Sequence, residues 1–169
     1  MAFYYFDASA LVKYYVTEPG STWIRQLIEE RDPETSRMRH SVLVAEITRV
    51  EVAAGLAAIE RVGRLRRSQR DREYRRFTSH FIHWYAIIPL LTDDFETAAA
   101  LTQRHPLKAY DAVQLAIALR HGQALAPHNL TATFVSGDNT LVTAAQAEGL
   151  LTDNPFDHVL PQDKPAGAV

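Results

Sequence analysis

The sequence predicts an α/β fold, a three-layer α/β/α sandwich in which helices cover both faces of a central parallel sheet. Short apolar runs rich in aromatic or β-branched residues alternate with longer helical patterns along the chain, and parallel strands need such crossover helices. The 169 residues show no internal repeat, and this length suits one domain with a substantial core. We expect one domain over residues 1–160 and a flexible tail over residues 161–169.

The first half of the chain carries the signals of two strands and four helices. An aromatic strand over residues 3–6 is followed by a helix over residues 9–15, with the Ser9 hydroxyl as its N-cap. The next elements are a helix over 21–30, a strand over 40–44, and helices over 45–62 and 64–82.

The second half alternates in the same way. Residues 86–91 predict a third strand, either continuous or broken at Pro89. The helix over residues 108–121 is apolar nearly all round, which predicts that it is buried. The other elements are a helix over 92–104, a strand over 131–136, a helix that ends before Gly149, and a short edge strand around 158–160.

The composition is that of a globular protein, with 47% apolar and 22% charged residues. The chain has no cysteine, which excludes disulfides and thiolate zinc sites and is compatible with a reducing compartment. No uncharged run approaches the roughly 18 residues of a membrane span, and the first residues lack the basic region of a signal peptide. We therefore expect a cytoplasmic protein without membrane association.

Four acidic residues occupy positions where a carboxylate is unexpected. Asp7 ends the first strand, where open α/β sheets bind their ligands, and Asp138 directly follows the fourth strand. Glu51 and Asp111 lie in apolar helical patterns, where a lone carboxylate is costly to bury unless it is paired or bound to a cation. Purely structural explanations also exist: helix caps for the first two, an arginine partner for Glu51, and the helix dipole for Asp111.

Four carboxylates in one pocket would repel one another. A single pair about 5 Å apart costs roughly 3 kcal/mol at an effective dielectric constant near 20. Protons would relieve the repulsion, and so would Mg²⁺ or Mn²⁺, which prefer carboxylate and water oxygens. A shared site therefore predicts a divalent cation.

Four stretches carry a family resemblance. They are Phe6-Asp-Ala-Ser-Ala-Leu-Val-Lys13, Thr48-Arg-Val-Glu51-Val52, Tyr110-Asp-Ala-Val-Gln-Leu-Ala116 and Phe134-Val-Ser-Gly-Asp138. In order and spacing, the chain resembles the PIN-domain ribonucleases of the VapC toxin type from residue 3 to about residue 155. The resemblance implies an acidic pocket that binds Mg²⁺ or Mn²⁺ through Asp7, Glu51, Asp111 and Asp138, with Ser9 as a nearby hydroxyl.

The resemblance also implies an activity and partners. The activity is metal-dependent hydrolysis of RNA phosphodiester bonds by the toxin of a bacterial type II toxin–antitoxin pair. The implied partners are an antitoxin that blocks the active site and, usually, a second copy of the chain. Val12, Tyr15 and Trp23 on the first helices could supply these interfaces or could belong to the internal core.

An arginine-rich segment stands out in an otherwise acidic chain. Residues 61–76 hold eight arginines against two acidic residues, a local charge of +6 in a chain whose net charge is −2. Few apolar residues anchor its helix, so we expect a helical segment that projects from the core or lies across its surface. The candidates for RNA phosphate contacts are Arg64, Arg66, Arg67 and Arg70. The alternative is a solvated helix with intrahelical pairs such as Asp71 with Arg75.

Two other functions remain open from the sequence. The chain could be a phosphoacceptor or phosphatase that uses Asp7 beside Mg²⁺, in which case Asp7 would become phosphorylated. It could also be a catalytically silent RNA- or protein-binding module, which would bind RNA without metal-stimulated cleavage. Four clustered acids argue against the silent module, since a binding module has little reason to keep a repulsive cluster.

Overall fold

A parallel sheet of five strands forms the centre of the computed structural model, which describes residues 2–163. The strands are β1 (Phe3–Phe6), β2 (Ser41–Ala45), β3 (Ala86–Ile88), β4 (Ala132–Val135) and β5 (Leu151–Asp153). Their order is β3-β2-β1-β4-β5, and every neighbouring pair is parallel. The chain moves outward from β1 in one direction to β2 and β3, then crosses to β4 on its other side. A crevice is expected at the carboxyl end of β1, where the order reverses.

Helices cover both faces of this sheet, as predicted. Those within the described residues are α1 (Ala8–Tyr15), α2 (Ser21–Glu29), α3 (Thr48–Arg61), α4 (Arg67–His83), α5 (Thr92–Arg104), α6 (Ala109–Leu125) and α7 (Asn139–Ala147). One apolar cluster joins Phe6 of β1 to the first four helices, and a second joins its neighbour Tyr5 to the last three. Because successive strand residues point to opposite faces, this alternation builds the two sides of the three-layer sandwich.

The prediction of a buried sixth helix is confirmed. Seven consecutive residues of α6, from Ala112 to Ala118, are buried. Because α6 is apolar nearly all round, each of its sides can be buried, and it packs between the sheet and α5. This burial fixes the start of α6, which carries Asp111, relative to the sheet. No helix within residues 2–163 is long and apolar enough to cross a membrane.

The arginine-rich helix does not project from the core, which corrects part of the expectation. Phe77 and Phe81 of α4 are buried and belong to the first apolar cluster, together with Tyr85 just beyond the helix. These aromatic residues recur every fourth position and so fall on one helix face, which packs on α1 and α3. The helix therefore lies across the surface, and only its opposite face carries exposed arginines.

Two boundaries at the ends of the chain also differ from the expectation. Helix α1 starts at Ala8 with Asp7, not Ser9, as its N-cap. The edge strand expected around residues 158–160 is wrong: the fifth strand is Leu151–Asp153, and Pro155–His158 forms a 3₁₀ turn instead. Pro155 fixes its own φ and lacks an N–H, which suits the first position of a helical turn better than a strand.

The expected tail over residues 161–169 falls partly outside the described residues. The part inside, Pro161–Asp163, forms a 3₁₀ turn, and Asp163 is fully buried. Its carboxylate accepts hydrogen bonds from the Thr22 N–H (2.8 Å) and hydroxyl (2.7 Å) and from the Gly20 N–H (3.2 Å). These bonds satisfy free N–H groups at the start of α2, so the chain is attached to α2 up to residue 163.

Candidate active site

A cavity of about 450 Å³ lies at the carboxyl end of β1, where the strand order reverses, and all four predicted carboxylates line it. Asp7 follows β1, Glu51 and Asp111 stand in the first turns of α3 and α6, and Asp138 is the N-cap of α7. Parallel strands end at one edge of a sheet, and the helices that follow them start there. The topology thus brings four acids together from positions up to 131 residues apart in the sequence.

Asp7 is held rigidly at the bottom of this cavity. Its carboxylate accepts hydrogen bonds from the Ala10 N–H (2.9 Å), the Ser9 hydroxyl (2.8 Å) and the Ser136 hydroxyl (3.0 Å). The Ser9 oxygen also accepts a bond from the Gly137 N–H (2.8 Å), and Ser136 accepts one from the Asp138 N–H (3.0 Å). Two hydroxyls therefore connect the acid after β1 to the turn after β4. Ser9 was predicted as a supporting residue, whereas Ser136 was not predicted.

Asp138 caps the helix that follows it. Its Oδ1 atom accepts hydrogen bonds from the N–H groups of Thr140 (2.8 Å) and Leu141 (3.1 Å). The structural explanation for this acid is therefore correct, but it does not exclude a ligand role. The Oδ2 atom takes part in neither bond, and a carboxylate can use its two oxygens for different partners.

Glu51 is oriented by a buried amide. The Gln114 side chain, on α6, donates hydrogen bonds to Glu51 and to the Thr48 hydroxyl (2.8 Å), and its own oxygen accepts a bond from the Tyr5 hydroxyl (2.7 Å). Gln114 and Thr48 are buried, so this chain of bonds fixes the position of Glu51 between α3 and α6. Gln114 was not among the predicted site residues, although it stands three residues after Asp111 in the quoted motif.

The site favours protonated carboxylates when no cation is bound. Burial raises the pKa of Asp7 to about 6, although the hydrogen bonds from Ala10, Ser9 and Ser136 oppose the rise. Burial raises the pKa of Glu51 to about 7 against the hydrogen bond from Gln114, and the charges of Asp7 and Asp111 add to the rise. Burial, followed by the charge of Asp138, also raises the pKa of Asp111. These are the effects expected of like charges in a half-buried cavity.

These shifts predict that the metal-free protein becomes less stable as the pH rises from about 4.5 to 7.5. In the unfolded chain, carboxylates ionise near pH 4. The folded state keeps protons on Asp7 and Glu51 to pH values near 6 and 7, and releasing them costs folding free energy. The expected loss is on the order of 2 kcal/mol per carboxylate. Urea unfolding in a chelator at both pH values measures it.

The control for this experiment is the Asp7→Asn, Glu51→Gln double variant. It should lose less stability over the same pH interval, because the two groups with raised pKa values are gone. An identical pH dependence in both proteins would show that the two carboxylates do not carry this effect.

The donor set of the cavity suits a hard divalent cation. Its acidic groups offer only oxygen atoms, which Mg²⁺ and Mn²⁺ prefer. Between residues 2 and 163, however, no three acidic or histidine side chains already stand close enough together to hold a metal ion. Glu51, Asp111 and the free oxygen of Asp138 would therefore have to turn inward to bind one. Asp7 would stay where its hydrogen bonds hold it.

The arginine-rich segment starts at the rim of this cavity. Glu18 lines the cavity and pairs both with Lys13 (3.3 Å) inside it and with Arg64 (3.0 Å) outside it. Arg70 pairs with Glu60 (3.3 Å) and with Asp71 (3.0 Å).

Within residues 2–163, the four candidate arginines fall into two groups: Arg64 and Arg70 form ion pairs with acidic residues, and Arg66 and Arg67 do not. Asp71 pairs with Arg70, not with Arg75 as the alternative had suggested. Arg66 and Arg67 are exposed, and no acidic side chain among the described residues pairs with either of them, so their charges face solvent.

The cavity also contains residues that no sequence signal indicated. Lys13 was quoted only as part of a motif, yet its ammonium group lies in the wall of the cavity, 4.0 Å from the centre of the Phe156 ring. Phe156 belongs to the 3₁₀ turn that replaces the expected edge strand. No hydrophobic periodicity or motif in the sequence indicates that these two residues line the site, and only the folded structure shows it.

Comparison with known proteins places this architecture among known folds. The family model of the PIN domain matches residues 4–130. The structure is similar to PAE2754 from Pyrobaculum aerophilum (TM-score 0.56, 16% identity, 93% of this chain and 91% of that one). It is similar to VapBC2 from Rickettsia felis bound to a DNA fragment from their promoter (TM-score 0.56, 12% identity, 90% of this chain and 98% of that one).

A third similar structure is a toxin–antitoxin complex from Klebsiella pneumoniae (TM-score 0.52, 20% identity, 90% of this chain and 98% of that one). At these identities the likeness concerns the fold. No curated protein sequence matches this chain.

Proposed function

The chain belongs to the PIN domain family, and from this premise we propose that it is a divalent-metal-dependent endoribonuclease, the toxin of a bacterial type II toxin–antitoxin pair. The observation that carries the proposal is the convergence of Asp7, Glu51, Asp111 and Asp138 on one cavity at the carboxyl edge of the sheet. Holding four acids in one cavity, one of them buried and three half-buried, is costly for stability. A cation that binds a phosphodiester explains why they lie together.

Each residue has a role in this proposal. Asp7, Glu51 and Asp111 hold the first ion, directly or through water, and Asp138 helps a second ion or orients the attacking water. When bound, Mg²⁺ or Mn²⁺ activates water and stabilises charge on the phosphoryl and leaving oxygens. The Ser9 hydroxyl, already bonded to Asp7 (2.8 Å), contacts the metal shell or a phosphate oxygen. Gln114 holds Glu51 in position from α6.

The toxin assignment adds two proposed partners. The similar structures from Rickettsia felis and Klebsiella pneumoniae are VapBC2 and a toxin–antitoxin complex, which supports an antitoxin partner. The proposed homodimer rests on the resemblance to the VapC toxins alone. Of the three residues expected at an interface or in the core, Val12 and Tyr15 are buried in the core, whereas Trp23 is half-buried and stacks on His158. Exposed apolar residues occur elsewhere, for example Val50 and Tyr74 beside a second cavity of about 570 Å³.

The proposal is tested by incubating the purified protein with single-stranded and structured RNAs, with Mg²⁺, with Mn²⁺ and with a chelator. We expect internal cleavage of RNA that requires the cation and stops when the chelator is added. RNA binding without cleavage under every condition would favour the silent binding module. Incorporation of phosphate onto Asp7 from a phosphodonor would favour the phosphoacceptor.

The exposed Arg66 and Arg67 should determine how RNA affinity depends on salt. We expect the Arg66→Gln, Arg67→Gln double variant to weaken RNA binding and to reduce the slope of log Kd against log salt concentration by about 0.7 per lost phosphate contact. Fluorescence anisotropy at several salt concentrations measures both quantities.

The matched control for this variant is Arg37→Gln, Arg39→Gln. It removes the same charge from residues just before the amino end of β2, the opposite edge of the sheet. The arginine-rich segment is a solvated helix without an RNA role if affinity and slope do not change in the Arg66, Arg67 variant, or change equally in the control.

A further inference from the structure

In the wall of the acidic cavity, a lysine ammonium group lies over the ring of an aromatic residue. The Lys13 ammonium lies 4.0 Å from the centre of the Phe156 ring, and both residues line the cavity together with Asp7 and Asp138. Phe156 is 48% exposed, and its ring lies among the charged side chains that line the cavity. An exposed ring in a polar cavity points to a ligand with an apolar face.

The chain fixes this ring in place from both sides. Asn154 is buried, accepts a hydrogen bond from the Phe156 N–H (3.0 Å) and donates one to Asn139 at the start of α7 (2.7 Å). Pro155, also buried, lies directly on Gly20, where a Cβ atom would come within 2.2 Å of the Pro155 carbonyl oxygen. These contacts hold the backbone at Phe156, so the exposure of its ring does not result from a loose segment.

Close packing also ties the ring to Gly137, in the turn between β4 and α7. A Cβ atom on Gly137 would meet the Phe156 ring at 3.5 Å, and the Lys13 side chain and the Ser9 hydroxyl at 3.3 Å. Gly137 has no positive φ, so close packing accounts for a glycine at this position. The absent side chain lets the ring and the lysine approach the residue next to Asp138.

The cavity thus combines the groups that bind one nucleotide of a single strand. Proteins bind single-stranded nucleic acid by stacking bases on aromatic rings beside cationic side chains that contact phosphates. Bases in a duplex are stacked on each other and cannot reach such a ring. The volume, about 450 Å³, lies in the range of about 300–1,000 Å³ that is usual for small-ligand pockets.

We propose that Phe156 and Lys13 form a nucleotide subsite in which an unpaired RNA base stacks on Phe156 and its phosphate contacts Lys13, next to the bond that is cut. The subsite rests on the proposed ribonuclease function and adds to it the two residues that bind the nucleotide at the cleaved bond. Glu18, which pairs with Lys13 (3.3 Å) and Arg64 (3.0 Å), holds the lysine until phosphate replaces it.

The test measures binding of short single-stranded RNAs that carry one 2-aminopurine, placed at each position in turn. It uses the full chain with Asp7→Asn, in Mg²⁺, so that binding is separated from cleavage. We expect quenching of 2-aminopurine at one position, and we expect Phe156→Leu to abolish the quenching and weaken binding about tenfold. Phe156→Tyr should restore both, because it keeps the ring.

The control is Phe95→Leu, the same substitution at a residue of similar exposure, 55% against 48%, that does not line the cavity. It should leave quenching and affinity unchanged, and thermal unfolding should show that all variants fold.

Two negative outcomes overturn different claims. If Phe156→Leu binds RNA as its parent does, with the same fluorescence, the subsite is overturned while the ribonuclease proposal stands. If the wild-type chain neither binds nor cleaves any RNA, both proposals fall.

Discussion

Replacing Asp7 by Asn should abolish metal-dependent RNA cleavage while the protein stays folded. Asp7 is the most deeply buried of the four acids, at 5% exposure, and three hydrogen bonds fix its carboxylate. Asn keeps one acceptor oxygen for these bonds but removes the charge that holds the cation. Loss of a residue that merely supports a metal ligand already costs 10–100-fold, so we expect the rate to fall by more than about 100-fold. Initial rates on one RNA at saturating Mg²⁺ measure the effect.

The stability of the same variant separates a functional from a structural role. Burial raises the pKa of Asp7 to about 6, so at pH 7.5 its charge destabilises the metal-free fold and Asn should not lower the free energy of unfolding. Asp71→Asn, which removes an exposed charge outside the cavity, is the matched control and should keep full activity. Cleavage by Asp7→Asn at the wild-type rate would remove Asp7 from the site.

Replacing Gly20 by Ala should destabilise the protein more than any other glycine substitution described here. Gly20 has φ +86°, and its new Cβ atom would lie 2.2 Å from the carbonyl oxygen of Pro155. The left-handed conformation costs an L-residue about 1–2 kcal/mol, and the clash with backbone adds about 1–3 kcal/mol of strain. We expect a total loss near 3 kcal/mol, measured by urea unfolding.

Gly63→Ala is the control that isolates the clash. Gly63 has a similar φ of +76° but has nothing within 4 Å of the position of its new Cβ atom. It should therefore show the conformational cost alone, about 1–2 kcal/mol. Equal losses in the two variants would mean that the segment carrying Pro155 moves away without cost, and that it does not fix Phe156.

The sequence predicts most of this fold because its local signals agree with one another. Phe3–Phe6 is a short aromatic run followed at once by a helix, which predicts a strand. Helix α6 is apolar on nearly all sides, which predicts that it is buried. The signals fail where tertiary contacts decide the outcome. In α4 the buried Phe77 and Phe81 outweigh the arginines around them, and β5 has only three residues, too few for a period-2 pattern.

The acids of the candidate site were predictable for a similar reason. Asp7 and Asp138 stand at strand ends, and Glu51 and Asp111 interrupt apolar helices, so each conflicts with its surroundings. Gln114 also interrupts the apolar pattern of α6, but its partners Tyr5 and Thr48 are 109 and 66 residues away, so the sequence does not reveal what it binds. In the sequence, nothing distinguishes Phe156 from other loop phenylalanines, and its contact with Lys13 is visible only in the structure.

The central claim, that the four acids form one cation site, is tested most directly by calorimetric titration of Mn²⁺ into the metal-free protein at pH 7. Because the pKa of Glu51 is raised to about 7, we predict binding that releases protons, seen as a heat that changes with the ionisation enthalpy of the buffer. Binding should weaken strongly in Asp7→Asn, Glu51→Gln and Asp111→Asn, which remove ligands of the first ion, and less in Asp138→Asn. The claim is contradicted if Mn²⁺ does not bind, or if it binds these four variants as tightly as the wild type and without proton release.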